Sequence, residues 1–277
     1  MNLARLASCV TVPLVCLILA MSAHAIVIRH DRADADYVVD ESRYPQVFYL
    51  HTRYDNKVCM ATLIDPGWAL TAAHCTDETP IKLTLDQQHN WPLEIAGKPN
   101  SIRRMVVHPR YAGGDLLQGV DLALLQLETA VTSVNPVQLY RQANEASTVM
   151  SLVGWGFTGN GERGRQGNDG RFRRAENKVE EASRWLVFRF DDPREAKGSA
   201  LELEGIPGLG DSGGPALEES YEAGTMLLAG VAVGELATNM ETSSKGTYGA
   251  IEVYERISLH AEWIDAVINP DTISITP

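Results

Sequence analysis

The sequence predicts an all-β protein, and three observations carry that reading. Short apolar runs recur along its length, at residues 44–50, 58–64, 68–72, 81–85, 101–107 and 122–127, then at 149–153, 179–181, 185–190, 200–203, 215–217, 227–233 and 248–253. Turn residues divide them, as in Asp65-Pro66-Gly67 and Gly113-Gly114-Asp115, and the spacing is too tight for strand–helix–strand units. The composition, with 277 residues of which 44% are hydrophobic and 22% charged, is that of a globular chain long enough to bury a core. Antiparallel barrels or sandwiches satisfy all three.

Taken in order, residues 1–25 read as an export signal. Arg5 supplies the positive start, residues 10–21 are apolar apart from Thr11 and Pro13, and Ala23-His24-Ala25 gives a small-x-small cleavage pattern. The run is shorter than the ~20 residues needed to span a bilayer. It also follows Cys9 instead of preceding it, which excludes a lipoprotein signal. Cleavage would leave a chain of 252 residues starting at Ile26, and loss of Arg5 takes the net charge from −12 to −13. Cys9 and Cys16 go with the signal; Cys59 and Cys75 remain and can form a single disulfide after export. An acidic chain lacks the basic face that nucleic-acid binding needs, and no later segment is apolar enough to span a membrane.

The two β-rich halves meet near residues 135–147. Residues 156–175 hold six glycines and five arginines, which predicts a mobile surface loop that buries little. At the end, Ile257, Ala261, Ile264 and Ile268, flanked by Trp263 and Val267, lie on one 3.6-residue face, and Ser258 is placed to cap that helix.

Three motifs carry chemistry. Thr71-Ala72-Ala73-His74-Cys75 sets a histidine at the end of an apolar strand. Asp121-Leu122-Ala123-Leu124-Leu125 sets a carboxylate at the mouth of another, and Gly210-Asp211-Ser212-Gly213-Gly214-Pro215 sets a serine in a glycine turn. Singly, each has a bland explanation: a packed histidine, a turn aspartate, a common glycine–serine pattern. Together they supply a weak nucleophile, a base with a pKa near neutrality and a carboxylate to fix that base's tautomer. α/β-Hydrolases also place serine in a G-x-S-x-G turn, but their order is serine, acid, histidine on alternating strands and helices. Here the order is His74, Asp121, Ser212.

With these motifs the chain resembles the trypsin/chymotrypsin-fold serine proteases. Val153-Gly154-Trp155-Gly156, Val107-His108-Pro109-Arg110-Tyr111 and the closing helix extend the likeness over residues 26–268. The resemblance implies two packed six-stranded antiparallel β-barrels (residues 26–140 and 141–256) and a C-terminal helix (257–268), with the active site between the barrels. It also implies a Cys59–Cys75 disulfide clamping the histidine loop. His74, Asp121 and Ser212 would form the catalytic triad, and the N–H groups of Gly210 and Ser212 the oxyanion hole. A new Ile26 ammonium would pair with Asp211 to switch the enzyme on, although Ile28-Arg29 stands where the family has Gly-Gly.

For the specificity pocket the resemblance indicates Ile206 at the floor, with Gly234, Glu235 and Gly246 on the walls. An apolar floor favours apolar or small residues before the cut bond, because a basic side chain would lie there without a partner; Glu235, just after the wall strand, could still supply a charge or narrow the pocket. Expected partners are protein or peptide substrates and protein protease inhibitors, for an exported monomer, secreted or periplasmic. No cofactor is implied, and no metal: HExxH is absent, and His51, His89, His108 and His260 lack ligand spacing. The competing class is a catalytically silent homologue that acts as a secreted binding protein. Its usual mark, a substituted triad residue or oxyanion glycine, is missing here.

Overall fold

Alternating burial along short segments dictates the architecture. The computed structural model describes residues 26–115, 117–195, 199–220, 224–236 and 246–270, so the export-signal reading of residues 1–25 lies outside the described residues. The strands are β1 (Ile26–Ile28), β2 (Val47–Arg53), β3 (Asn56–Asp65), β4 (Trp68–Thr71), β5 (Trp91–Ile95), β6 (Lys98–Val107), β7 (Ala123–Leu127), β8 (Gln138–Leu139), β9 (Val149–Gly154), β10 (Thr158–Asn160), β11 (Gly164–Gly167), β12 (Arg173–Ala182), β13 (Trp185–Arg189), β14 (Gly205–Ile206), β15 (Pro215–Ser220), β16 (Thr225–Leu236) and β17 (Ile251–Arg256). The helices are α1 (His74–Glu78), α2 (Ile81–Asp86) and α3 (Ala261–Ile268).

In the first barrel the strands run β2-β3-β4-β7-β6-β5, and the indole N–H of Trp91 donates to the Leu50 carbonyl at 2.9 Å, tying β5 back to β2. Leu63, Leu70, Ile102, Leu124 and Leu125 fill it with no exposed surface. The second barrel runs β15-β9-β12-β13-β17-β16, and pairing of β15 with β16 closes it. Met150, Leu152, Val179, Leu186 and Phe188 fill its interior. Two six-stranded antiparallel barrels, with α3 after the second, are the fold the sequence implied.

The expected division at residue 140 is crossed from both sides. β1 pairs with β10 and β14, both from the second half, and β8 lies parallel to β16. The first three described residues thus lie in a separate four-stranded sheet, β11-β10-β1-β14, whose other strands come from the second half.

Four local expectations need correction. Residues 81–85 form a helix, not a strand: Ile81 is buried and Leu85 packs on the same core, while Leu83 is 62% exposed, a spacing of four that suits a helical face. Residues 200–203 form no strand, because the Glu204 carboxylate gathers the Leu201 and Asp191 N–H groups (2.6 Å each) into a turn before β14. Ser258 does not cap the last helix; its hydroxyl donates to Glu145 at 2.6 Å, and α3 starts three residues later.

Most informative is the segment 156–175. Instead of a loose loop it supplies β10, β11 and the start of β12, and it buries Phe172, Arg173 and Arg174. Arg173, with no exposed surface, donates to Asp34 at 2.8 and 3.1 Å and to Asp169 at 2.9 and 3.0 Å. Arginine-rich composition suggests solvation, but two carboxylates let this guanidinium be buried. Arg173→Ala removes the buried one of two guanidiniums that bridge those acids, leaving them the more exposed Arg171, and should destabilise the fold by about 1–3 kcal/mol. The check is a lower urea midpoint at unchanged slope.

Candidate active site

His74 opens α1 directly after β4, and Asp121 stands two residues before β7, the neighbour of β4 in the sheet. That adjacency brings the two side chains together. His74 Nδ1 lies 2.6 Å from Asp121 Oδ2, and the His74 backbone N–H donates to Oδ1 at 2.8 Å. Both carboxylate oxygens of the nearly buried Asp121 are therefore engaged by one residue, which fixes the ring's orientation. Burial pushes the His74 pKa down, but the Asp121 hydrogen bond and charge, helped by Glu78 and Asp77, outweigh it and raise the pKa above the ordinary value. Behind this pair, the Asp121 N–H donates to Glu255 at 2.9 Å, and Glu255 lies 3.5 Å from His260 Nε2. Sequence reading missed Glu255, because its strand comes from the other barrel.

Ser212 sits in the turn between β14 and β15 and lines one cleft of about 280 Å³ with His74 and Asp121. The turn is held from several sides. Cys59 N–H donates to the Gly210 carbonyl (2.9 Å), Met60 N–H to the Ser212 carbonyl (2.8 Å), and Gly213 N–H to the Ala232 carbonyl (2.8 Å). Gly210 has φ +101°, a left-handed conformation that a side chain would strain. Cys59 and Cys75 form the expected disulfide, which spans 16 residues. Their sulfurs and the His74 ring make a tight cluster, but sulfurs bonded to each other are not thiolate ligands, so the cluster offers a metal one imidazole.

Asp211, 1% exposed, is not among the residues lining the cleft, and its carboxylate packs against Gly154 and Gly156. It accepts from Gly156 N–H at 2.6 Å and from Gly208 N–H at 2.8 Å. Burial raises its pKa to about 7, against the pull of those donors and of the Arg165 charge.

Of the predicted pocket residues, the structure brings Gly234 and Glu235 to the cleft and leaves two elsewhere. Ile206 is wholly buried in β14, packed with Val27 and Phe190. Gly246 does not line the cleft and packs against Arg165 and Val27. Ile206 does not line the cleft that holds Ser212; Arg165, Glu235 and Glu252 line it with charge. Arg165 and Glu252 were not legible as site residues.

A family model described as Trypsin matches residues 38–264. The chain belongs to the trypsin family. Among similar proteins, this trypsin-family chain is 34% identical over 106 residues to chymotrypsin-like elastase family member 1 of Canis lupus familiaris, covering 36% of this chain and 41% of the relative. Granzyme M of Homo sapiens is 36% identical over 116 residues, covering 40% of this chain and 44% of the relative. The chain thus matches less than half the length of each. Among the described residues, no helix is long and apolar enough to cross a membrane.

Asp211 gives the site a measurable pH signature. While Ile26 is in peptide linkage, the folded chain keeps a proton that the unfolded chain releases near pH 4. Stability should then fall as pH rises from about 4 towards 7 and level off above that. In the uncleaved chain, Asp211→Asn should flatten this slope in denaturation midpoints measured across that range.

Proposed function

We propose that this trypsin-family chain is an exported serine endopeptidase in which Ser212 is the nucleophile, His74 the general base and Asp121 the group that orients it. The observation that carries the reading is the two-point grip of Asp121 on His74 in the cleft that also holds Ser212. His74 Nδ1–H, held by Asp121, leaves Nε2 as the basic nitrogen. It takes the Ser212 proton as Oγ attacks the scissile carbonyl, then returns it to the leaving amine. Asp121 stabilises the imidazolium formed in between. The N–H groups of Gly210 and Ser212 receive the developing oxyanion, and loss of one such donor typically lowers the rate by about 10²–10³. The His74 pKa, raised by Asp121, suits a base that must hold a proton within one catalytic cycle.

Activation follows from Asp211. Once the signal is removed, the Ile26 ammonium would provide the cation that this buried carboxylate otherwise gets only at a distance, from Arg165. Position supports it: Ile26 is buried and pairs with Thr158, two residues beyond the Gly156 that already holds Asp211. Such an ion pair would hold the turn that carries Gly210 and Ser212.

Two measurements test this. A fluorophosphonate should label the mature protein at Ser212, and Ser212→Ala should abolish labelling; an unlabelled, folded mature protein would favour a silent binding protein. One extra residue before Ile26 should remove most peptidase activity, and full activity in that variant would refute the activation pair.

A further inference from the structure

Three charged side chains from distant segments meet beside Ser212. Glu235 on β16 and Glu252 on β17 are direct partners across the antiparallel ladder, so two carboxylates face each other, an arrangement that is unfavourable without a cation between them. Arg165 provides one. Its Nη2 lies 2.9 Å from Glu252 Oε1, 3.1 Å from Glu235 Oε2 and 3.3 Å from the Pro207 carbonyl. The remaining acids of the cleft wall are Glu78 and Asp121, and His74 is the other basic group. Carboxylates outnumber cations here.

Arg165 reaches this point from β11, whose backbone is committed to the ladder with β10. It enters as a side chain and is not presented as a peptide to be cut. Gly246, at φ +83°, leaves it room: a Cβ there would stand 3.1 Å from Arg165 Cγ. The fit is incomplete, since Arg165 Nε is buried with no hydrogen-bond partner.

We propose that the Glu235–Glu252 pair makes this cleft a cation-selective specificity pocket for lysine or arginine before the scissile bond, and that Arg165 occupies the cation position until a substrate displaces it. This rests on the endopeptidase reading for its biological sense. An entering ammonium or guanidinium replaces Arg165 charge for charge between the same two acids. An entering carboxylate would add a third negative charge around a guanidinium already hydrogen-bonded to Glu252 and the Pro207 carbonyl and ion-paired with Glu235. A purely apolar side chain would leave the acids unaltered and gain little from them.

Benzamidine, an aryl amidine cation, tests the pocket without catalysis. Its binding to the mature Ser212→Ala protein is measured by calorimetry, alone and combined with Arg165→Ala, Arg165→Gln, Glu252→Gln or Glu235→Gln. Either Arg165 variant should tighten binding tenfold or more, and Glu252→Gln should weaken it by at least as much; the two Arg165 variants guard against one misfolding. The same pocket substitutions on an intact Ser212, labelled by a small alkyl fluorophosphonate, report separately on the nucleophile. Failure to label counts against the endopeptidase reading and leaves the binding result standing. Unchanged benzamidine affinity in both Arg165 variants overturns the proposal. So does cleavage after Asp or Glu that disappears with Arg165.

Discussion

Asp211 is a carboxylate placed where water does not reach, and much of the surrounding backbone is arranged around it. Its oxygens come so close to two segments that neither tolerates a side chain: a Cβ on Gly154 would lie 2.0 Å from Asp211 Oδ1, and one on Gly156 2.7 Å from its Cγ. Gly208 and Gly156 turn their N–H groups onto it. Asp211 lies between Gly210 and Ser212 in the chain, so how it is anchored constrains the turn that carries both. A buried anion held mainly by backbone donors is an incomplete arrangement. That incompleteness is what a new amino terminus would correct.

Legibility in the sequence tracked how local each constraint is. The His74, Asp121 and Ser212 motifs could be read because each is a contiguous stretch with a strand end or a tight turn. Glu255 and Glu252 could not, because they reach the site through the register of β17 against its neighbours. β16 has an irregularity between Ala232 and Gly234, and a one-residue shift exchanges which side chains face the cleft. Composition misled at residues 156–175 for a related reason. Counting glycines and arginines does not reveal that Asp34, Asp169 and Glu252 lie opposite them. At residues 81–85 the alternation Ile-Lys-Leu-Thr-Leu fitted a strand as well as a helix, and the exposure of Leu83 decided it.

Buried arginines recur as connectors in this acidic chain. Arg256 is clamped by both oxygens of Glu145 at 2.9 and 2.7 Å, and Ser258 adds a third contact to that carboxylate. The start of the closing segment is thereby fixed to the connection before β9. Arg173 does the same for the segment after β1. In each case two acceptor oxygens match a planar donor, which sets direction as well as distance. The net charge of −12 therefore understates how much positive charge lies inside.

The Cys59–Cys75 bond joins two functions usually considered apart. Cys59 belongs to β3, and its N–H fastens the Gly210 carbonyl; Cys75 follows His74 in α1. A loop of this size is worth about 3 kcal/mol by the chain-entropy argument. Its placement matters more than its energy, because one covalent link connects the strand supporting the Gly210–Ser212 turn to the helix carrying His74. Glutathione-rich surroundings would open that link and uncouple both at once. If the chain is the exported endopeptidase proposed above, its competence would be tied to redox compartment, because a reduced chain lacks the clamp between these two elements.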